Sequence, residues 1–111
     1  MDKSTTPTEH YDAIARELAF KDGDVALSKM FGMPCLKVNG KAFAGFYEDK
    51  MVFKLTGGTH AQALGLDGAR LFDPGNMGRP MKEWVLVPFA YAEQWETLAE
   101  RALEYVGKRP G

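Results

Sequence analysis

The stretch from Met30 to Leu55, MFGMPCLKVNGKAFAGFYEDKMVFKL, most constrains the fold of this chain. It holds three short apolar runs, separated by Asn39-Gly40 and by Glu48-Asp49-Lys50. Asn-Gly between β-prone runs is a strong hairpin signal, because both residues tolerate the positive φ of a tight type I′ turn. We therefore predict a three-stranded antiparallel meander.

The turns also predict a register. A two-residue loop at Asn39-Gly40 pairs Val38 with Lys41 and Leu36 with Phe43, and a loop at Asp49-Lys50 sets Phe46 opposite Phe53. One face of the sheet then carries Cys35, Ala44, Phe46, Met51, Phe53 and Leu55. The other face carries Leu36, Val38, Phe43, Tyr47, Val52 and Lys54.

Both predicted faces are rich in apolar side chains, whereas an antiparallel sheet with one wet face alternates more cleanly. We expect helices to cover one face. The other face needs a further part of this chain, a second copy or a partner as its cover. The alternative is a face with scattered exposed aromatic residues, which is common in soluble proteins.

Helices are predicted on both sides of this meander. Thr6-Pro7-Thr8-Glu9 has the pattern of a capping box with proline in the first turn, and predicts a helix from about Pro7 to Lys21. We interpret Asp24 to Lys29 as an added helical turn. A short helix is predicted from Thr59 to Leu64, and a longer one from Ala92 to a stop at Gly107.

Two further strands are predicted at Ala69 to Phe72 and at Glu83 to Val87. The predicted order is α-β-β-β-α-β-β-α. It indicates a two-layer α+β fold, with an antiparallel five-stranded sheet and helices on one face. We expect residues 1–111 to form a single domain, with tails at about 1–5 and 108–111.

The composition is that of an ordinary globular protein, with 45% hydrophobic and 26% charged residues. A formal net charge of -1 gives no bias toward nucleic acid or an anionic membrane surface. No apolar run is long enough to span a membrane, so we expect no membrane partner. Cys35 is the only cysteine, which excludes an internal disulfide and fits a cytoplasmic protein.

Several of these segments resemble the N-terminal domain of TfoX/Sxy-type proteins. The matching segments are Lys29-Met30-Phe31-Gly32, the run Leu36 to Ala44, Val52-Phe53-Lys54-Leu55 and Trp84-Val85-Leu86-Val87-Pro88. The run from Met33 to Lys41 is also similar to a strand of YjbR/MmcQ-like proteins. The resemblance implies the same order of helices and strands, and no catalytic set.

TfoX proteins are associated with competence regulation, and DNA binding is attributed to YjbR-like proteins. The chain ends near the third predicted helix, without the second domain of TfoX proteins. The resemblance therefore leaves the regulatory role open for this chain.

The sequence shows no constellation for catalysis. Cys35 has no neighbouring base and is interpreted as a structural core residue. His10 and His60 lack the spacing of metal ligands, and Ser28 lacks a nucleophile elbow. We therefore expect a protein that is not an enzyme, with no metal and no cofactor.

One weak anion-binding pattern lies at Gly57-Gly58-Thr59, because a helix that begins there presents backbone N–H groups. The alternative is a simple bend from strand to helix. The Gly57-Gly58-Thr59 segment matches neither the P-loop pattern nor the dinucleotide-binding pattern.

The most site-like segment is the loop Met77 to Lys82 next to Trp84, because methionine, arginine and aromatic side chains suit an adaptable contact surface. The alternative is a connector whose methionines fill the edge of the core. Our candidate partner surface consists of Phe43, Tyr47, Arg79, Met81 and Trp84.

The leading hypothesis is thus a non-enzymatic, cytoplasmic interaction or regulatory module of TfoX N-terminal type, which self-associates or docks a protein partner through the sheet. One alternative is nucleic-acid binding, since five lysines lie between Lys29 and Leu55. Alternation scatters those lysines over both faces, which disfavours that reading. A second alternative is a small-molecule pocket between sheet and helices.

Overall fold

The computed structural model describes residues 6–30, 32–73, 78 and 81–107. Within these ranges the chain forms an α+β domain with an antiparallel sheet, as the sequence predicts. The elements in chain order are α1 (Pro7–Lys21), β1 (Val25–Met30), β2 (Met33–Val38), β3 (Lys41–Tyr47), β4 (Lys50–Lys54), α2 (Gly57–Leu64), β5 (Arg70–Phe72), β6 (Met81–Val87), a 3₁₀ turn (Phe89–Tyr91) and α3 (Ala92–Gly107).

The sheet has six strands rather than the five predicted, in the order β1-β2-β3-β4-β6-β5. The additional strand is β1, where we expected a helical turn. Alanine, leucine, lysine and methionine in this segment all favour helix. The hairpin through Gly32, at a φ of 76°, overrides that preference because every residue of β1 pairs with one of β2.

Helix α1 begins and ends at the predicted residues. The Thr6 hydroxyl accepts the Glu9 N–H at 3.1 Å, and the Glu9 carboxylate accepts the Thr6 N–H at 3.1 Å. This reciprocal pair satisfies two N–H groups that a helix start leaves without partners. The buried side chains of α1 are Tyr11, Ile14, Ala15 and Leu18.

A β-bulge changes the predicted register of the first hairpin. Val38 pairs with Lys41 as expected, across Asn39 and Gly40 at φ values of 52° and 82°. Beyond that pair, Lys37 is opposite Ala42, and Leu36 is opposite Ala44 rather than Phe43. One extra residue therefore enters β3, which interrupts the alternation of faces.

The second hairpin is also displaced from its predicted register. Its turn residues are Glu48 and Asp49, at φ values of 49° and 66°, so that Phe46 pairs with Met51 instead of Phe53. The displacement is two residues, and because the side-chain period of a strand is two, both partners keep their predicted face. In the first hairpin, Cys35 pairs with Gly45.

The helices cover one face of the sheet, as predicted. Their buried residues join strand residues in one apolar cluster, here called the helix-side core, which includes Tyr11, Leu36, Val38, Phe43, Ala44, Phe53, Val85 and Trp95. Leu36, Val38 and Phe43 are buried there, so their predicted place on the face opposite Ala44 and Phe53 is wrong. The bulge explains the error, because it turns Phe43 to the side that Ala44 occupies.

The opposite face carries a second apolar group, whose described members all lie in strands. This far-side cluster consists of Met33, Val52, Phe72, Trp84 and Leu86, with Met30, Ala42, Tyr47 and Met81 packed at its margin. Apolar residues therefore occupy both faces, as the sequence predicts. None of the described helices is long and apolar enough to cross a membrane.

Candidate functional site

The far-side cluster brings together three of the five residues of our candidate partner surface. Tyr47 packs edge-on against Phe72, with ring centroids 5.1 Å apart, and Met81 lies at the margin near Trp84. Arg79 lies outside the described residues. Phe43 lies on the other face, so the predicted set does not form one surface.

This cluster is closed rather than open to solvent. Trp84 is only 6% exposed, and Val52 is fully buried. An apolar face with so little accessible area offers a partner little hydrophobic surface to bury. The described part of the far face is therefore a second core and not an exposed docking patch.

A glycine in a central strand allows this tight packing. A Cβ built on Gly45 would lie 2.7 Å from Cε of Met33, and 3.2 Å from both the Pro34 carbonyl oxygen and Cγ2 of Val52. Contacts this short force neighbours to move. Gly45 thus leaves the space in which Met33 lies over the sheet.

Among the described residues, two large hydrophobic side chains are well exposed: Phe20, 91% exposed, and Leu27, 57% exposed. Phe20 lies near the end of α1, nine residues and half a helical rotation from the buried Tyr11. Leu27 lies in the middle of β1, at one end of the sheet. Neither residue belongs to the far-side cluster, so the exposed apolar side chains do not lie on the face where the sequence predicts them.

The backbone of β1 has one open side. The Asp24 carbonyl accepts the Asn39 N–H at 3.2 Å, which directs Asp24 toward β2. Directions alternate along an antiparallel strand, so Val25, Leu27 and Lys29 direct their N–H and C=O groups away from the sheet. The Val25 N–H donates to the Asp22 carbonyl at 3.0 Å. The other outward groups have no hydrogen-bond partner among the described residues.

The opposite edge strand is much less suited to pairing. β5 has three residues, and its register with β6 shifts between Leu71 and Phe72. β1 has six residues in unbroken register with β2. Among the described strands, β1 therefore presents the longer regular edge.

A groove of about 510 Å³ lies between α1 and β1. Tyr11 and Asp12 line it from the helix, and Leu27 and Lys29 from the strand. The Tyr11 hydroxyl oxygen is buried with no hydrogen-bond partner in the described structure. Burial first, then the nearby Cys35 and Asp12, raises the pKa of this hydroxyl, so it stays protonated.

Cys35 borders the same groove and is fully buried with a free thiol. Burial raises the pKa of this thiol, and Lys37 opposes the shift to a smaller extent. A thiol held in its protonated form is a poor nucleophile. The structural role predicted for Cys35 agrees with this environment.

Gly57, Gly58 and Thr59 open α2, two residues earlier than predicted. Gly57 has a φ of 61°, and the Thr56 side chain makes no capping hydrogen bond. An anion at this helix start stays a prediction. A groove of about 430 Å³ between α2 and α3 is lined by Thr59, Gln62, Gln94, Thr97 and Arg101, among others.

The two histidines have separate surroundings. His10 packs edge-on against Trp95, with ring centroids 5.6 Å apart. His60 Nε2 lies 2.8 Å from the carbonyl oxygen of Lys82, a contact that joins α2 to β6. Within the described ranges, no three His, Cys, Asp or Glu side chains are grouped to hold a metal ion.

Sequence reasoning missed the β1 edge. The signal was present: Gly32 between Met30 and Met33 marks a two-residue turn, and Val25, Leu27 and Lys29 alternate with smaller residues. The sequence prediction places Met30 and Gly32 at the start of the meander, whereas in the structure Gly32 lies between β1 and β2. The result was one strand too few and no prediction for the open edge.

The described residues form an α+β fold whose antiparallel sheet is covered by helices on one face and ends, within those residues, in a strand with one unpaired side. No protein-family model, curated protein or solved structure matches this chain. The resemblance to TfoX and YjbR-like proteins therefore stays a prediction.

Proposed function

We propose that this protein is a non-enzymatic, cytoplasmic interaction module that binds an extended protein segment along the open edge of β1. The observation that carries this proposal is a regular six-residue strand whose outer side pairs with no described strand and whose central Leu27 is exposed. The resemblance to TfoX N-terminal domains, which implies no catalytic set, agrees with it.

Strand addition explains what this edge can do physically. The outward N–H and C=O groups of Leu27 and Lys29 offer backbone hydrogen bonds to an incoming strand, whatever its sequence. The groove beside α1 adds selectivity, because a side chain of the incoming strand can enter it. Leu27 contributes apolar area that binding would remove from water.

The proposal moves the interaction from the sheet face to the sheet edge. The predicted partner surface does not form one face. Phe43 lies in the helix-side core, and Tyr47, Met81 and Trp84 lie in the far-side cluster. Arg79 is outside the described residues. Hydrophobic side chains that are already buried contribute nothing further to association. The edge keeps both unpaired backbone groups and exposed apolar area.

The test is a selection of extended peptides from a random display library, followed by mapping on the amide NMR spectrum. We expect selected peptides to shift the amide signals of Leu27 and Lys29 and to weaken at least tenfold on Leu27→Pro. Proline there removes an outward N–H without breaking a bond to β2. Phe20→Ser is the matched control and should leave binding unchanged.

A well-dispersed spectrum of Leu27→Pro must accompany the binding measurement, to show that the variant is folded. Peptides that bind at another surface, with β1 amides unmoved, would overturn the proposal. So would a protein that selects no peptide and makes no contact of its own through β1.

A further inference from the structure

We infer that the occupant of the β1 edge is a second copy of this chain, paired antiparallel about a two-fold axis at Leu27. This inference rests on the proposed function and names its partner. Three features of the edge carry it: the positions of the outward backbone groups, the exposed Leu27, and the order of charges along the strand.

The backbone pattern selects the register. Hydrogen-bonded pairs form only between residues that both direct their polar groups outward, which are Val25, Leu27 and Lys29. With Leu27 opposite its own copy, each Val25 lies opposite the Lys29 of the other copy, so all three outward residues are paired. Shifting the strands by two residues in either direction leaves one of the three without a partner.

At the Val25 end of the edge, one of the outward backbone groups already has a hydrogen-bond partner within the chain. Its N–H donates to the Asp22 carbonyl, so Val25 offers only its C=O to the second copy. Leu27 and Lys29 offer both groups. Four inter-chain backbone hydrogen bonds then remain, two between the Leu27 pair and two from Lys29 N–H groups to Val25 carbonyls.

The side chains are complementary in the same arrangement. Leu27, 57% exposed in the single chain, meets the Leu27 of the other copy directly across the axis. Each copy thereby removes apolar area from water at a point where the strand is exposed. A self-complementary patch of this kind is what a two-fold dimer interface requires.

The charges also fit an antiparallel pair. Lys29 near the end of β1 and Asp24 just before its start are both exposed. A lysine on an edge strand ordinarily discourages pairing. In the two-fold arrangement, each Lys29 lies beside the start of the partner strand and its Asp24, so the charges attract rather than repel. A parallel arrangement would set like charges together.

The first experiment measures the oligomeric state and its dependence on charge. We expect sedimentation equilibrium to show a reversible dimer, weakened at least tenfold by Lys29→Asp and by Asp24→Lys. Each variant alone places like charges together at both ends of the interface. A mixture of the two variants restores opposite charges at both ends, so we expect it to form heterodimers.

The second experiment tests the register. Leu27→Cys places two thiols across the axis in a hydrogen-bonded pair, where the expected Cα separation of about 5.5 Å suits a disulfide. We expect mild oxidation to give a covalent dimer. Phe20→Cys, at a more exposed site, is the matched control and should give much less. Cys35 is buried and contributes little to either.

The outcomes separate this inference from the proposed function. A protein that remains monomeric at high concentration, yet binds selected peptides at β1, would overturn the second copy as partner and keep the interaction module. A dimer that neither charge variant weakens, and that Leu27→Cys does not cross-link, would also overturn the inference. A monomer without peptide binding would overturn both.

Discussion

The hydroxyl of Tyr105 donates a 2.6 Å hydrogen bond to Oε2 of Glu83, which joins α3 to β6. The other oxygen of the same carboxylate lies 3.7 Å from Nζ of Lys54, on β4. One partly exposed carboxylate thus connects a helix and two neighbouring strands. Hydrogen bonds to a charged acceptor are stronger than those between neutral groups.

We predict that Tyr105→Phe lowers the free energy of unfolding by about 1–2 kcal/mol, since it removes a donor to a charged group. Urea denaturation followed by circular dichroism measures the change. Tyr47→Phe is the matched control, because its hydroxyl makes no hydrogen bond with the described residues. Equal losses for the two variants would contradict a specific role for the Tyr105 hydroxyl.

Gly45→Ala should destabilise the protein by about 1–3 kcal/mol, because the added methyl group overlaps Met33 and approaches the backbone of Pro34. The coupling to Met33 is tested by a double-mutant cycle with Met33→Ala. We expect the double variant to lose less stability than the sum of the single variants. Gly58→Ala, which meets no atom within 4 Å, serves as control.

The burial of Phe43 gives a direct check of the bulge. Phe43→Ala should cost about 3–5 kcal/mol, as expected for a large side chain removed from a packed core. Phe20→Ala, at a 91% exposed position, should change stability by less than about 0.5 kcal/mol. Similar small effects at both positions would contradict the burial of Phe43 in the helix-side core.

The raised pKa values of Cys35 and Tyr11 predict a loss of stability at alkaline pH. Both groups hold their protons more tightly in the folded chain than at their ordinary pKa values of 9.0 and 10.0. Their stabilising effect is therefore complete below about pH 9 and is lost as the pH rises through the folded pKa values.

The measurement is the free energy of unfolding between pH 7 and 10.5. The variant Cys35→Ala/Tyr11→Phe should show a shallower alkaline decline than the wild type. Ser28→Ala removes no ionisable group and should follow the wild-type curve. An unchanged slope in the double variant would show that other groups cause the decline.

Local signals in the sequence predicted the helices well. The capping box at Thr6 and Glu9 located the start of α1, and the apolar period located α3, because both depend on residues within a few positions of one another. The class of fold followed from the order of these elements. The prediction of apolar residues on both faces of the sheet was also correct. The two-residue register error in the β3–β4 hairpin did not affect it, because side chains alternate between the faces with a period of two.

Tertiary contacts decided what the sequence could not. The bulge at Phe43 has no local turn signal, and it moved the residue from the predicted partner surface into the helix-side core. β1 is a strand only because β2 pairs with it, despite residues that favour helix. Tyr47, Met81 and Trp84 lie together, but in a closed cluster rather than on an exposed surface, and the open edge around Leu27 was missed.

The position of β6 has a consequence for how this chain acquires its structure. β1, β2 and β3 each pair with the next strand in the chain, so the four strands β1 to β4 need only short loop closures. β6 inserts between β4 and β5 and must bring Trp84 to Lys54 across an intervening helix. We expect the four sequential strands to gain protection from hydrogen exchange early in refolding, and β5 and β6 to complete the domain in a later, slower step.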